Sequence, residues 1–173
     1  MNMLKWLNNK KKDNKGFSLV ELIIVVAIMA ILVGLLAPQY IKHVEKSRKS
    51  ADASNLSEIV NAIQVKAADA ESSLPSGGYK ITISDSTKKT TIEAVAGDGV
   101  TPNTDAVDTI KAAVAETMPA YASTVLKSAK WGVNGTASDI TATVVIKKDG
   151  GTTVTYTPAD LETFITNKKT DGE

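Results

Sequence analysis

The dominant pattern in the chain is an apolar run over residues 17–37. Eighteen of its 21 residues are apolar, and the exceptions are Ser18, Glu21 and Gly34. As a helix rising 1.5 Å per residue, the run spans about 31 Å, one hydrocarbon thickness of a bilayer. A core helix of a small domain has no need to be apolar on every face, so the run predicts a membrane-spanning helix. An ordinary cleaved signal peptide is disfavoured, because the run is longer than its apolar region and Pro38 follows directly.

Helical periodicity continues past this run, but on one face only. Apolar residues recur with helical spacing at Leu56, Ile59, Val60, Ile63 and Ala67. We therefore predict one long helix over residues 17–71, apolar all round in its first half and amphipathic in its second. A cluster of helix-breaking residues is expected to end it: Ser72, Ser73, Pro75, Ser76, Gly77 and Gly78.

The C-terminal part of the chain shows the alternation of strands. Residues 79–84 alternate between apolar and polar side chains and predict a half-buried strand. Residues 140–146 alternate again, and the alternation resumes at 154–156 after the turn residues Asp149-Gly150-Gly151. This second pattern predicts a hairpin.

Two shorter helices are predicted in the same region. Apolar residues at helical spacing from Val107 to Met118 indicate a helix capped at Thr104. Near the end of the chain, Thr157 can cap a helix opened by Pro158. Strands, a helix and further strands with hairpin-type turns favour an α+β fold with an antiparallel sheet.

Charge is concentrated at the start of the chain. Residues 1–16 carry five lysines and one aspartate, too polar a stretch to bury a core, and we interpret them as a targeting or processing segment. The other 157 residues carry 15 basic and 18 acidic side chains, a net charge of −3, while the whole chain is at +1. This balance does not indicate a nucleic-acid-binding surface.

Candidate chemistry is sparse. The chain has no cysteine, which excludes disulfides and thiol chemistry, and its one histidine, His43, lies among charged residues of the predicted amphipathic helix. Asp98, Asp105 and Asp108 could gather around calcium, but their spacing does not match an EF-hand loop. We expect no catalytic site, no metal and no cofactor.

The junction KGFSLVEL at residues 15–22 closely resembles the processing motif of type IV prepilins. In that family a short basic leader ends in Gly, Phe usually follows, and a Glu stands at the fifth position of the mature chain. Those positions are Gly16, Phe17 and Glu21 here. The resemblance extends over residues 5–40, and the absence of cysteine makes the chain more similar to pilins of Gram-positive clostridia.

The resemblance implies a structural subunit of a type IV pilus. A prepilin peptidase would cleave between Gly16 and Phe17, and the new amine of Phe17 would be methylated. The precursor would sit in membrane lipid as a single-pass protein of the cytoplasmic membrane. The pilus assembly machinery would then extract it into an extracellular helical polymer of identical copies, serving adhesion, motility or biofilm formation.

Glu21 requires a partner in this setting. A carboxylate within a membrane helix costs about 2–3 kcal/mol on insertion scales, and less near the interface. In the prepilin family this Glu pairs with the Phe17 amine of a neighbouring subunit and sets the register of stacking. The alternative is that Glu21 only reaches the lipid headgroups.

Gly34 and Pro38 are expected to weaken the helix together. Pro38 lacks an N–H and clashes with the carbonyl four residues back, which belongs to Gly34. The pair predicts either a stretchable segment in a filament or a simple kink at the membrane exit, and the sequence leaves both open.

We expect four segments: a cleaved leader (1–16), a membrane and polymerisation helix (17–38), an amphipathic helical half (39–72) and an α+β pilin domain (73–173). Two other functions remain compatible with the sequence. A pseudopilin of a type II secretion system shares the whole N-terminal motif. A single-span anchor that carries a binding module would retain residues 1–16 and would not polymerise.

Overall fold

The structure, a computed structural model, describes residues 17–69, 74–85, 87–97, 99–132 and 138–166. The predicted α+β class is confirmed: a long N-terminal helix precedes a small antiparallel sheet. The helices are α1 (Leu19–Ala68), α2 (Val107–Thr117) and α3 (Asp160–Thr166), and the strands are β1 (Gly77–Ile83), β2 (Thr90–Val95), β3 (Ile140–Ile146) and β4 (Thr152–Thr157). The chain forms two compact units, one ending at Lys42 and the other beginning at His43.

Helix α1 is continuous from Leu19 to Ala68. It begins two residues later than predicted, because Ser18 acts as its N-cap. The helical hydrogen-bond pattern ends at Ala68, before Glu71, which lies outside the described residues together with Ser72 and Ser73.

The sheet has the strand order β2-β1-β3-β4, and every neighbouring pair is antiparallel. The β3–β4 hairpin is confirmed, and its turn contains Gly150 at φ +80°. Strand β2 was not predicted, because Ile92 is its one fully buried large side chain and the alternation around it is short.

Gly77 and Gly78, the last two residues of the predicted helix-breaking cluster, are the first two residues of β1. A Cβ on Gly78 would lie 2.3 Å from the carbonyl oxygen of Val95, its partner in β2. The close approach of two backbones therefore requires glycine at this position.

The amphipathic part of α1 covers one face of the sheet, as its periodicity predicts. Leu56, Ile59, Val60 and Ile63 are fully buried in a cluster with the inward-facing residues of the sheet. The cluster's members from the two central strands are Tyr79, Ile81, Ile83, Ile140, Ala142, Val144 and Ile146. Burial of each large aliphatic side chain contributes about 1.5–3 kcal/mol, so this apolar layer is the main stabilising feature of the fold.

Both predicted helix caps in this region are wrong in detail. Thr104 lies in a 3₁₀ turn, Thr104–Ala106, and the side chain of Asn103 accepts the hydrogen bond that caps it. Thr157 is the last residue of β4, and α3 begins at Asp160. The sequence pattern located both helices but not the turn that precedes each of them.

Candidate functional site

The first half of α1 is apolar and exposed on every face. From Phe17 to Ile41, its large apolar side chains are 50% to 83% exposed. This segment is long and apolar enough to cross a membrane, and none of it is buried within the protein. So large an apolar surface requires either a bilayer or other protein chains around it.

Ser18 and Glu21 form a capping arrangement at the start of this helix. The backbone N–H of Ser18 donates to Glu21 Oε2 at 2.9 Å, and the N–H of Val20 donates to Ser18 Oγ at 3.3 Å. Leu22 N–H donates to the Ser18 carbonyl oxygen at 3.2 Å, which closes the first helical turn. This is the pattern of a capping box, in which two side chains satisfy N–H groups that the helix leaves unpaired.

The Glu21 carboxylate lies in the first turn of α1, where a negative charge is favoured by the partial positive charge of the helix N-terminus. Its Oε2 atom is occupied by the Ser18 N–H. Within the described chain, its Oε1 atom accepts no hydrogen bond and pairs with no cation. One oxygen thus holds the helix start, and the other is available to an external partner.

Phe17 and Glu21 lie together at the helix start, and Gly34 and Pro38 lie farther along α1. Phe17 precedes the helix and is 83% exposed. A Cβ added to Gly34 would meet no atom within 4 Å apart from the adjacent backbone of α1 itself. Helix α1 remains helical through Pro38. Gly16 lies outside the described residues.

The capping role of Glu21 was missed at the level of sequence. A Ser followed three residues later by Glu, directly before an apolar run, is itself a signature of a helix N-terminus. Glu21 therefore has a local role at the start of the helix besides the one that the prepilin-like motif implies.

The described residues do not bring a set of metal-ligating side chains together. They contain no group of three or more His, Cys, Asp or Glu side chains that could hold a metal ion. Of the three aspartates considered for calcium, Asp98 lies outside the described residues, and Asp108 pairs with Lys111 at 3.4 Å. Burial raises the pKa of Tyr79 and Tyr121, because the charged phenolate form would lose hydration there.

Residues 11–37 match the family model of the prokaryotic N-terminal methylation motif. No curated protein and no solved structure matches the chain. The match covers the basic-to-apolar junction and most of the exposed part of α1, and it is consistent with a type IV prepilin. Together with the exposed apolar helix, it fits a membrane-anchored precursor of a pilin-like or pseudopilin protein, which is a structural rather than an enzymatic class.

Proposed function

We propose that this protein is a subunit of a type IV pilus, held in the membrane by α1 and assembled through α1 into a homopolymer. The observation that carries the proposal is the position of Glu21: an acidic side chain in the first turn of a helix whose apolar residues are exposed on all faces. The motif over residues 11–37 supports processing by a prepilin peptidase between Gly16 and Phe17 and methylation of the new amine.

In this proposal, cleavage supplies a cationic partner for the Glu21 carboxylate. It converts the backbone nitrogen of Phe17 from an amide into a cationic amine. Opposite charges attract strongly in an apolar environment, although both lose hydration, so the pair stabilises a contact only where the geometry is close. The free Oε1 of Glu21 can accept the amine of a neighbouring copy while Oε2 keeps its hydrogen bond with Ser18. In this proposal Glu21 both starts the helix and sets the register between copies.

Gly34 and Pro38 also have a role in the proposed filament. Pro38 has no backbone N–H to donate to the Gly34 carbonyl. The turn from Gly34 to Pro38 therefore unwinds at a lower free-energy cost than the rest of α1. We propose that this turn lengthens when copies pack into a filament. Pro38→Ala would restore the missing backbone N–H donor, so filaments of this variant should stretch less under load.

Three variants separate the two roles of Glu21. Glu21→Gln keeps an oxygen for the Ser18 N–H but removes the charge, and Glu21→Val removes both. Ser18→Ala removes the Oγ cap and leaves the carboxylate in place. If charge sets the register, both Glu21 variants are inserted and cleaved but form few filaments, whereas Ser18→Ala forms filaments.

Cell fractionation and electron microscopy of sheared surface material give the readout. Normal fibres in Glu21→Gln cells would show that the capping hydrogen bond suffices and would refute the charge-pairing step. Fibres absent from wild-type cells, with the uncleaved chain retained in the membrane, would favour a single-span anchor. Short fibres seen only on overproduction would favour a pseudopilin.

A further inference from the structure

Positive charge beyond residue 16 is concentrated directly after the apolar segment of α1. Residues 42–49 carry four basic side chains and one acidic side chain, a net charge of +3. Residues 50–173 carry 11 basic and 16 acidic side chains, a net charge of −5. The basic cluster is therefore a local feature of α1 and not the average character of the chain.

Two of the four basic residues have partners within the protein. Arg48 lies 3.8 Å from the carboxylate of an acidic residue three positions earlier, and Lys49 pairs with Asp160 at 3.3 Å. The other two, Lys42 and Lys46, are exposed, and neither makes a hydrogen bond or an ion pair with any residue that the structure describes. They stand one helical turn apart on α1, and we call them the lysine pair.

The end of the apolar segment puts the lysine pair at a bilayer surface when α1 is in a membrane. The exposed apolar stretch ends with Tyr40 and Ile41, which are 70% and 59% exposed, and tyrosine is enriched at membrane–water interfaces. With residues 17–37 across the hydrocarbon, Lys42 lies about 7.5 Å beyond it and Lys46 about 6 Å farther along the helix. The headgroup layer is about 5–8 Å thick on each side of the bilayer. Helical side chains lean towards the helix N-terminus, which here is the membrane side, so both amino groups can reach that layer.

We infer that the lysine pair binds anionic phospholipid headgroups and thereby fixes the depth of α1 in the membrane. Each basic side chain near an anionic surface strengthens the attraction about fivefold, whereas a neutral surface offers no comparable gain. The long apolar stem of lysine can lie along the helix while its amino group stays among the headgroups. The inference rests on the membrane-held state in the proposed function and not on filament assembly.

The test uses the full chain in phosphatidylcholine vesicles whose outer leaflet also contains phosphatidylglycerol, and external proteolysis verifies that residues 43–173 lie outside. The leader lysines then meet neutral lipid only. Native mass spectrometry gives the ratio of the two lipids that remain bound to the protein. The double variant Lys42→Gln, Lys46→Gln removes both charges, and Lys88→Gln, Lys130→Gln is the matched control, with the same change of charge at two other exposed lysines. We expect the enrichment of phosphatidylglycerol to fall at least about fivefold in the double variant and to stay unchanged in the control.

Three results would overturn the inference: wild-type protein without enrichment, a double variant as enriched as the wild type, and an equal loss in the control. A double variant that keeps its lipid but forms few filaments would assign the lysine pair to an acidic surface of a neighbouring copy instead. Lys42→Arg, Lys46→Arg keeps both charges and should keep the enrichment, and circular dichroism verifies the fold of each variant. If the double variant misfolds, Lys42→Gln alone should lose at least half of the enrichment. Failure of the membrane-held state looks different, because the wild-type chain then does not float with vesicles in a density gradient.

Discussion

The Asp52 carboxylate accepts a hydrogen bond from the indole nitrogen of Trp131 at 3.0 Å, joining residues 79 positions apart in the chain. The same carboxylate accepts the backbone N–H groups of Lys127 and Ser128 at 2.8 and 2.9 Å. Asp52 and Trp131 are each only 1% exposed. A buried carboxylate on α1 thereby anchors a segment of the chain that has neither helix nor strand of its own.

Further contacts surround this pair. The Ser128 hydroxyl donates to a carboxylate oxygen of Glu45, which lies on the same face of α1 about two turns before Asp52. The Lys49 amino group lies 4.7 Å from the centroid of the Trp131 ring and 3.3 Å from Asp160 Oδ2, and Trp131 packs edge-on against Phe164 of α3. In a chain without cysteine, this cluster joins α1, the 127–131 segment and α3 noncovalently.

The first prediction concerns Asp52. Asp52→Ala leaves three N–H donors without their acceptor, and two of them, from Ser128 and Trp131, are buried, so we expect a loss of about 3–5 kcal/mol in the free energy of unfolding. Chemical denaturation followed by circular dichroism measures this loss. Glu58→Ala is the matched control, because Glu58 is an exposed acid on the same helix and should change stability by less than about 0.5 kcal/mol. Equal stability of the two variants would mean that the cluster contributes packing alone.

The sequence was sufficient for elements that depend on local periodicity. The two halves of α1, strand β1 and the β3–β4 hairpin all follow from the spacing of apolar residues. The Asp52 cluster could not be predicted in this way, because its donors come from residues 127–131, far along the chain and without periodic pattern. Strand β2 was missed because Ile92 is its one buried large apolar side chain, so its alternation is too short to stand out. At the candidate site the motif drew attention to Phe17 and Glu21, whereas the capping hydrogen bonds around Ser18 were missed although the spacing of Ser18 and Glu21 indicates them.

The second prediction concerns how much of α1 the unit beginning at His43 requires. A chain beginning at His43 retains Leu56, Ile59, Val60 and Ile63, so it should fold and show a cooperative thermal transition. A chain beginning at Ala67 lacks these four fully buried side chains, which together contribute about 6–12 kcal/mol, comparable to the whole stability of an ordinary domain of about 5–15 kcal/mol. It should be unfolded at room temperature. Near-identical melting curves for the two chains would contradict the burial of α1 against the sheet.

The third prediction concerns the turn between β1 and β2. The pKa of the Asp85 carboxyl lies below its usual value of 3.8, chiefly because the Thr87 hydroxyl donates to it and then because the backbone N–H groups of Thr87 and Lys88 do. A pKa that is lower in the folded state stabilises the fold at pH values above the unfolded-state pKa, and this contribution disappears as the pH falls through the folded-state pKa. Because Asp85 is exposed, solvent screening makes the contribution small.

The measurement is an NMR titration of the Asp85 side chain. Thr87→Ala removes the hydroxyl and should move the pKa of Asp85 back towards 3.8, without restoring it fully, because the two backbone donors remain. Thr109→Ala, at an exposed position of helix α2, is the control and should leave the titration unchanged. A Thr87→Ala titration curve that superimposes on the wild-type curve would show that the hydroxyl is not the leading cause of the shift.

The last prediction concerns the mature N-terminus. The basic segment and the apolar helix meet at Gly16-Phe17, inside the matched motif, so surface material should consist of 157 residues beginning with Phe17, with or without one methyl group on its amine.

Cleavage also removes Trp6, which leaves Trp131 as the one tryptophan of the mature chain. Since Trp131 is buried against Asp52 and Phe164, its emission should be that of a single buried environment and should shift to that of water only when the cluster opens. Intact-mass measurement combined with tryptophan emission tests both statements on one sample. Surface protein that still carries residues 1–16 would contradict processing, and a two-component emission from the mature mass would contradict the burial of Trp131.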